Sequence, residues 1–241
     1  TITGTIELSD IILPQIDAKF KNAFNSPSSK KINLIDVERS NDSVYYNSFL
    51  KETIEIELQN PILKNVVIKG NFILYAKDSI VVGTKTVLED VILKAPKISF
   101  QQGFKGNAQV FATKIIHLEK EVVLLYPSIL CLSNSTTDKS RIEIENGCKI
   151  YGAIVQFGNK ITKIDENEII MKENTLLVGD IYCSGTLMVG GKVFGSVITN
   201  RFFHKTDFGM HNNCIIDAEI DIYKKPSYFV SVPLFENTAI Q

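Results

Sequence analysis

Residues 177–199 read LVGDIYCSGTLMVGGKVFGSVIT, and this stretch decides the fold. The odd positions from Leu177 to Val197 are all apolar or glycine, and only Thr199 ends the series with a hydroxyl. The even positions carry Asp180, Tyr182, Ser184, Thr186, Lys192 and Ser196 among some apolar residues. A period of two is the signature of a β-strand with one buried face. At ~3.3 Å per residue a straight strand of this length would run roughly 75 Å, far beyond ordinary strands. The chain must therefore turn without losing its inward and outward parity. Gly179, Gly185 and Gly191 recur at even intervals where corners can sit, because glycine tolerates the backbone angles and close approaches of a corner. Short strands joined by corners, with one parity always inward, describe the coil of a β-solenoid. Leu187, Val189 and Val193 are expected inside, with Thr186 and Lys192 outside.

Working outward, the pattern predicts an all-β chain. Val66, Ile68, Gly70, Phe72 and Leu74 share one parity, and strand-like segments follow through Ile80–Val82, Val91–Ala95, Ile98–Phe100, Val110–Ala112 and Ile116–Leu118. Turn signals punctuate them at Gly70-Asn71, Gly83, Gln102-Gly103, Gly106-Asn107, Asn146-Gly147 and Gly158-Asn159. Residues 134–141 and 158–168 are polar and read as loops leaving the coil. A β-sandwich is the alternative, since it too has many short strands and turns. The unbroken parity through Gly179, Gly185 and Gly191 favours the solenoid, because a hairpin would reset the count.

The expected organisation is a flanking or capping segment at 1–60, a β-helix at 61–200 and a C-terminal cap at 201–241. Within the first segment, residues 15–24 place Ile16, Phe20 and Phe24 at helical spacing, and residues 32–35, 44–46 and 53–58 read as short strands. The last segment is rich in exposed-type aromatics: Phe202, Phe203, Tyr228, Phe229 and Phe235. A solenoid leaves unpaired strand edges and bare core at its ends. The aromatic tail is expected to cover one end, and Phe20, Phe24 and the strand at 53–58 the other.

Composition narrows the function classes. Lys+Arg is 26 and Asp+Glu is 27, a net charge of −1, which lacks the basic footprint of a nucleic-acid binder. No apolar run reaches the roughly 20 residues of a membrane-spanning helix. The first residue is Thr1, so a processed chain is expected, with a signal or membrane tether upstream. Cys131, Cys148, Cys183 and Cys214 are widely spaced and expected to be free thiols, Cys148 and Cys183 on inward parities.

Residues 174–199, NTLLVGDIYCSGTLMVGGKVFGSVIT, resemble the bactofilin-type, polymer-forming cytoskeletal proteins of bacteria. Gly179, Ile181, Gly185, Leu187, Val189, Gly191, Val193, Gly195 and Val197 approximate the glycine-punctuated rhythm of their coils. The resemblance covers roughly a tenth of the chain. It implies a compact right-handed parallel β-helix that assembles end to end into filaments without nucleotide. The long flanking segments and the insertion at 133–140 depart from that family and count against filament formation.

Candidate chemistry is sparse. His204, His211 and Cys214 are close in sequence, but their spacing matches no established zinc pattern, and no metal is expected. Asp217, Glu219 and Asp221 place three carboxylates on one face of an expected strand at 215–223, read as a solvated face rather than a calcium site. A polysaccharide lyase on this fold would have to draw on Asp90, Lys94, His117, Glu119 or Lys120, which no motif links. Arginine occurs only at Arg39, Arg141 and Arg201. Gly190, Gly191 and Gly195 lack the following helix that a phosphate loop requires. No catalytic residue, cofactor or metal is therefore expected. The expected function is a non-enzymatic β-helix scaffold or interaction module of the bacterial cell envelope, with a protein or glycan partner, as a monomer or small oligomer. The alternatives are a carbohydrate-binding or lyase-like β-helix and a cytoskeletal filament former, and the alternative location is the cytoplasm.

Overall fold

The strand Leu176–Val189 shows how the fold is built. Its residues 176–178 lie between 149–151 on one side and 192–194 on the other. Residues 181–183 lie between 154–156 and 197–199. Residues 186–189 pair with 168–171, and 186–187 also with 201–202. All of these pairings are parallel. One strand thus serves three ladders and bends twice between them. At the first bend Gly179 has φ +141°, and a Cβ there would stand 1.6 Å from the Gly152 carbonyl oxygen. At the second, a Cβ on Gly185 would stand 2.1 Å from the Asn167 carbonyl oxygen. Only glycine lets successive coils close to backbone contact at these corners. The corners expected at Gly179 and Gly185 are present, and the odd positions from Leu177 to Gly195 are all buried.

The computed structural model describes residues 1–3, 13–23, 30–34, 43–134, 139–158, 167–206, 209–230 and 234–235. They are nearly all β, with parallel strands stacked in a solenoid-like sheet. The same three ladders extend through most of the chain. The first runs through Ser43–Asn47, Val66–Gly70 and Val87–Glu89, and further on through Lys105–Gly106, residues 123–124, 149–151 and 176–178, Lys192–Phe194 and Glu219–Asp221. The second begins at Lys30–Leu34 and Ile54–Leu58 and passes through 72–75, 91–95, 108–112, 129–134 and 153–157. The third runs from Ile62–Leu63 through 79–82, 97–100, 115–118, 140–144 and 167–171. A coil takes 16 residues from Ile181 to Val197 and 27 from Ile154 to Ile181, so loops lengthen a coil without disturbing its register. Among the described residues, antiparallel pairing is limited to Val197–Thr206 with Gly209–Asn212 and an isolated bridge between Ile16 and Phe235. The parallel register excludes the sandwich alternative over residues 177–199.

The interior is one continuous apolar cluster from Ile56 to Ile220 that includes Phe100, Phe104, Leu187, Val189 and Val193. Burying each such side chain contributes about 1.5–3 kcal/mol. Lys192 is outside as expected, whereas Thr186 is buried. Thr186 has outward parity, but Glu168 and Arg201 flank it in register and cover it.

The ends differ from the sequence expectation. Strands at 30–34, 43–47 and 54–58 are members of the ladders, so parallel stacking starts before residue 61 and Ile54–Leu58 is not a cap. The helix is Ala18–Ala23; Phe24 lies outside the described residues. Ile16 and Phe20 pack on the flank of the solenoid, not on its end, together with Leu234 and Phe235. They cover an outward row on the second ladder that is apolar over five coils: Phe111, Cys131, Val155, Tyr182 and Ile198. Phe229 also turns to the flank and stacks on Tyr126 at 4.5 Å between ring centroids, while Tyr228 and Val230 stay exposed. The reason is surface chemistry: the flank offers a long apolar stripe, and residues 215–221 already close the C-terminal end through Ile215, Ala218 and Ile220. The last parallel strand there is the start of the chain. Ile2–Thr3 pairs with Ile220 and Asp221, and the Thr1 nitrogen donates to the Ala218 carbonyl at 2.9 Å. No helix among the described residues is long and apolar enough to cross a membrane.

Candidate functional site

A group of paired polar side chains lies on the outside of the third ladder. Strand alternation puts Ser99, His117, Glu143, Ile170 and Met188 in one outward row, and Lys97, Ile115, Arg141, Glu168, Thr186 and Arg201 in the next. Stacked at ~4.8 Å per coil, charges in one row meet across neighbouring strands. Arg141 grips Glu168 through Nε at 2.8 Å and Nη2 at 2.7 Å, both to Oε2. Lys172 Nζ lies 2.5 Å from Glu145 Oε1 and 3.5 Å from Glu143 Oε1. The hydrogen bond to Glu145 is the main reason the Lys172 ammonium holds its proton above its ordinary range. His117 Nε2 stands 3.9 Å from the same Glu145 oxygen. These carboxylates are neutralised by cations one coil away. These cross-coil pairs tie neighbouring coils in register.

A second polar group is internal, at the corner between the second and third ladders. Asn134 Nδ2 donates to Asn167 Oδ1 at 3.0 Å, and the Ser140 hydroxyl donates to the same oxygen. One coil further, the Gln156 Oε1 accepts from Ser184 Oγ at 3.3 Å and lies 3.6 Å from Cys183 Sγ. Among the described residues, Gln156 Nε2 is the buried side-chain nitrogen or oxygen that has no hydrogen-bond partner. Burial pushes the Cys183 thiol up to about 12, so it is not a nucleophile at neutral pH.

The residues singled out in the sequence are scattered. Asp90 sits at a corner with φ +57° and exchanges hydrogen bonds with Asn107. Lys94 projects from the second ladder, where burial, opposed by Glu55, lowers its ammonium's proton affinity. His117 lies on the third ladder, Glu119 accepts from the Gln102 amide at 2.9 Å, and Lys120 is in the next turn. They form no common site. Arg39 is outside the described residues, Arg141 is in the Glu168 pair, and Arg201 stands beside Thr186.

His204 and His211 are brought directly opposite each other in the antiparallel hairpin, while Cys214 lies beyond its end. No group of three or more His, Cys, Asp or Glu is placed to hold a metal among the described residues. The expected carboxylate strand is shorter than read: it spans Glu219–Asp221, and Asp217 lies in a turn with φ +53°. Glu219 is held by Lys192 at 3.2 Å and by Lys224, whose hydrogen bonds lower its carboxyl below the ordinary range. Asp221 caps the short helical turn Ile222–Lys224 by accepting from the Tyr223 amide. Cys131, Cys148, Cys183 and Cys214 are all free thiols.

Sequence reading missed the flank stripe and the Glu145–Lys172–His117 group. The stripe's signal was faint but present: Phe111, Cys131, Val155, Tyr182 and Ile198 are apolar at positions of outward parity. Comparison with protein-family models, with curated proteins and with solved structures returns no match for this chain.

Proposed function

We propose that the chain is a right-handed parallel β-helix that serves as a non-enzymatic scaffold or interaction module of the bacterial cell envelope. The observation that carries this reading is the internal pairing of its outward charges. Arg141 with Glu168, Lys172 with Glu143 and Glu145, and Lys192 with Glu219 link neighbouring coils rather than converge on a cleft. Such ladders hold register and present a rigid polar wall, which is what a scaffold requires. The glycine rhythm at 174–199 supports the β-helix and its likeness to bactofilin-type proteins. The two-residue edge Ile2–Thr3, on which the C-terminal end of the stack finishes, is too short to template another copy and opposes continuous filaments.

The test is incubation of the protein with pectin, alginate and related acidic glycans, followed by absorbance of unsaturated products. The expected result is no release. Robust release that is lost on changing His117 or Lys120 to alanine would replace the scaffold reading with a lyase-like one.

A further inference from the structure

The N-terminal end of the solenoid carries a patch that its own chain leaves uncovered among the described residues. Strand Ser43–Asn47 has one ladder partner there, Val66–Gly70, so its other edge presents unpaired backbone groups. Val44 is 68% exposed and Tyr46 is 74% exposed on its outer face. Beyond it, Phe49 at 65% and Leu50 at 98% stand at the tip of a turn held by the Lys51 amide on the Ser48 carbonyl. Natural edges are usually blunted by charge or proline, and Ser43, Val44, Tyr45, Tyr46 and Asn47 include neither. The companion terminal strand Lys30–Leu34, by contrast, begins with two lysines.

We propose that this edge is an interface between two copies of the chain, joined N-terminal end to N-terminal end by antiparallel pairing of Ser43–Asn47 with itself. Free backbone groups in extended conformation, bonded to water in the monomer, are a template for another strand, which a lipid surface does not supply. The strand is self-complementary about Tyr45. A two-fold axis there sets Val44 opposite Tyr46 of the second copy, and Tyr46 opposite Val44, with no like charges facing. At the opposite end the ladder finishes on Ile2–Thr3, an edge of two residues against the five of Ser43–Asn47 and too short to template a second copy, so the assembly stops at two. This goes beyond the scaffold reading and stands whether or not the chain turns over a glycan.

Sedimentation across a concentration series tests it. The expected result is a monomer–dimer equilibrium whose dimer weakens at least about tenfold in Val44→Lys/Tyr46→Lys, with the circular-dichroism melt unchanged. Tyr223→Lys, at a residue 79% exposed near the other end, leaves the dimer intact. If the double variant does not fold, hydrogen exchange of the unaltered protein decides: the amides of 43–47 gain protection as concentration rises. A monomer at every soluble concentration, a dimer insensitive to the double variant, or exchange at 43–47 independent of concentration would overturn the proposal. So would a monomer that sediments with anionic phospholipid vesicles, an outcome that assigns the patch to lipid.

Discussion

The Tyr182 hydroxyl donates to the Pro14 carbonyl oxygen at 2.9 Å, joining two residues 168 positions apart in the chain. Tyr182 stands in the apolar flank stripe between Val155 and Ile198, and its ring meets Phe235 at 5.6 Å. The Asp17 amide donates to the Leu234 carbonyl, so the two terminal segments are also tied to each other. Residues 1–3 complete the C-terminal end and 30–34 begin the opposite one. The segment that includes Pro14 to Phe20 therefore passes along the flank between them, held by Tyr182 and Phe157.

Tyr182→Phe should remove the tie and little else. The expected loss is about 1 kcal/mol in global stability. Limited proteolysis between residues 13 and 23 should accelerate while the coil core stays resistant. Tyr182→Ala, which also deletes the ring under Phe235, should cost about 3–5 kcal/mol. Equal proteolysis rates in wild type and both variants would remove the strap from the account.

Two glycines separate the cost of backbone angle from the cost of contact. Gly179→Ala forces a Cβ to within 1.6 Å of the Gly152 carbonyl oxygen and should destabilise by several kcal/mol, on the order of 4. Gly103 has φ +74° with nothing within 4 Å of the same position, so Gly103→Ala should cost only about 1–2 kcal/mol. Denaturant melts of the two variants measure the difference.

Reading parity along residues 177–199 was enough to find the coil, because Gly179 and Gly185 turn the chain without changing which side faces in. The same logic misplaced the aromatic segments. Tyr228, Phe229 and Phe235 announce that apolar surface must be covered, but which surface depends on rows that form only when coils stack. Phe111, Cys131, Val155, Tyr182 and Ile198 are separated in sequence by whole coils and become one stripe only in the ladder. The His117–Glu145–Lys172 group was hidden for that reason too. His204 and His211, by contrast, were legible as neighbours because a local hairpin joins them.

Thiol chemistry probes the interior. Cys131, Cys148 and Cys183 are fully buried, while Cys214 is half-buried. Burial lifts the Cys148 thiol to about 11 and the Cys183 thiol to about 12. A raised folded-state value adds stability below the unfolded thiol range near about 9, and that stability is lost as pH climbs toward the folded values. The melting temperature should therefore show no thiol-dependent fall up to pH 8 and should drop between about pH 9 and 12. In native protein at pH 8, Ellman's reagent should titrate Cys214 readily and the other three only after denaturation. Rapid reaction of Cys183 in native protein would contradict the buried coil.

The most direct test of the stacked coil is a molecular ruler on its first ladder. Lys105, Lys149 and Lys192 are exposed and linked in register through Val123 and Leu176. Each step between neighbouring strands is ~4.8 Å, so backbone separations should be about 10 Å for Lys105–Lys149, about 10 Å for Lys149–Lys192 and about 19 Å for Lys105–Lys192. Spin labels at the three pairs, read by continuous-wave and pulsed electron paramagnetic resonance, measure them. Distances that add along one line are the predicted result. A Lys105–Lys192 distance no longer than the two shorter ones would contradict the solenoid.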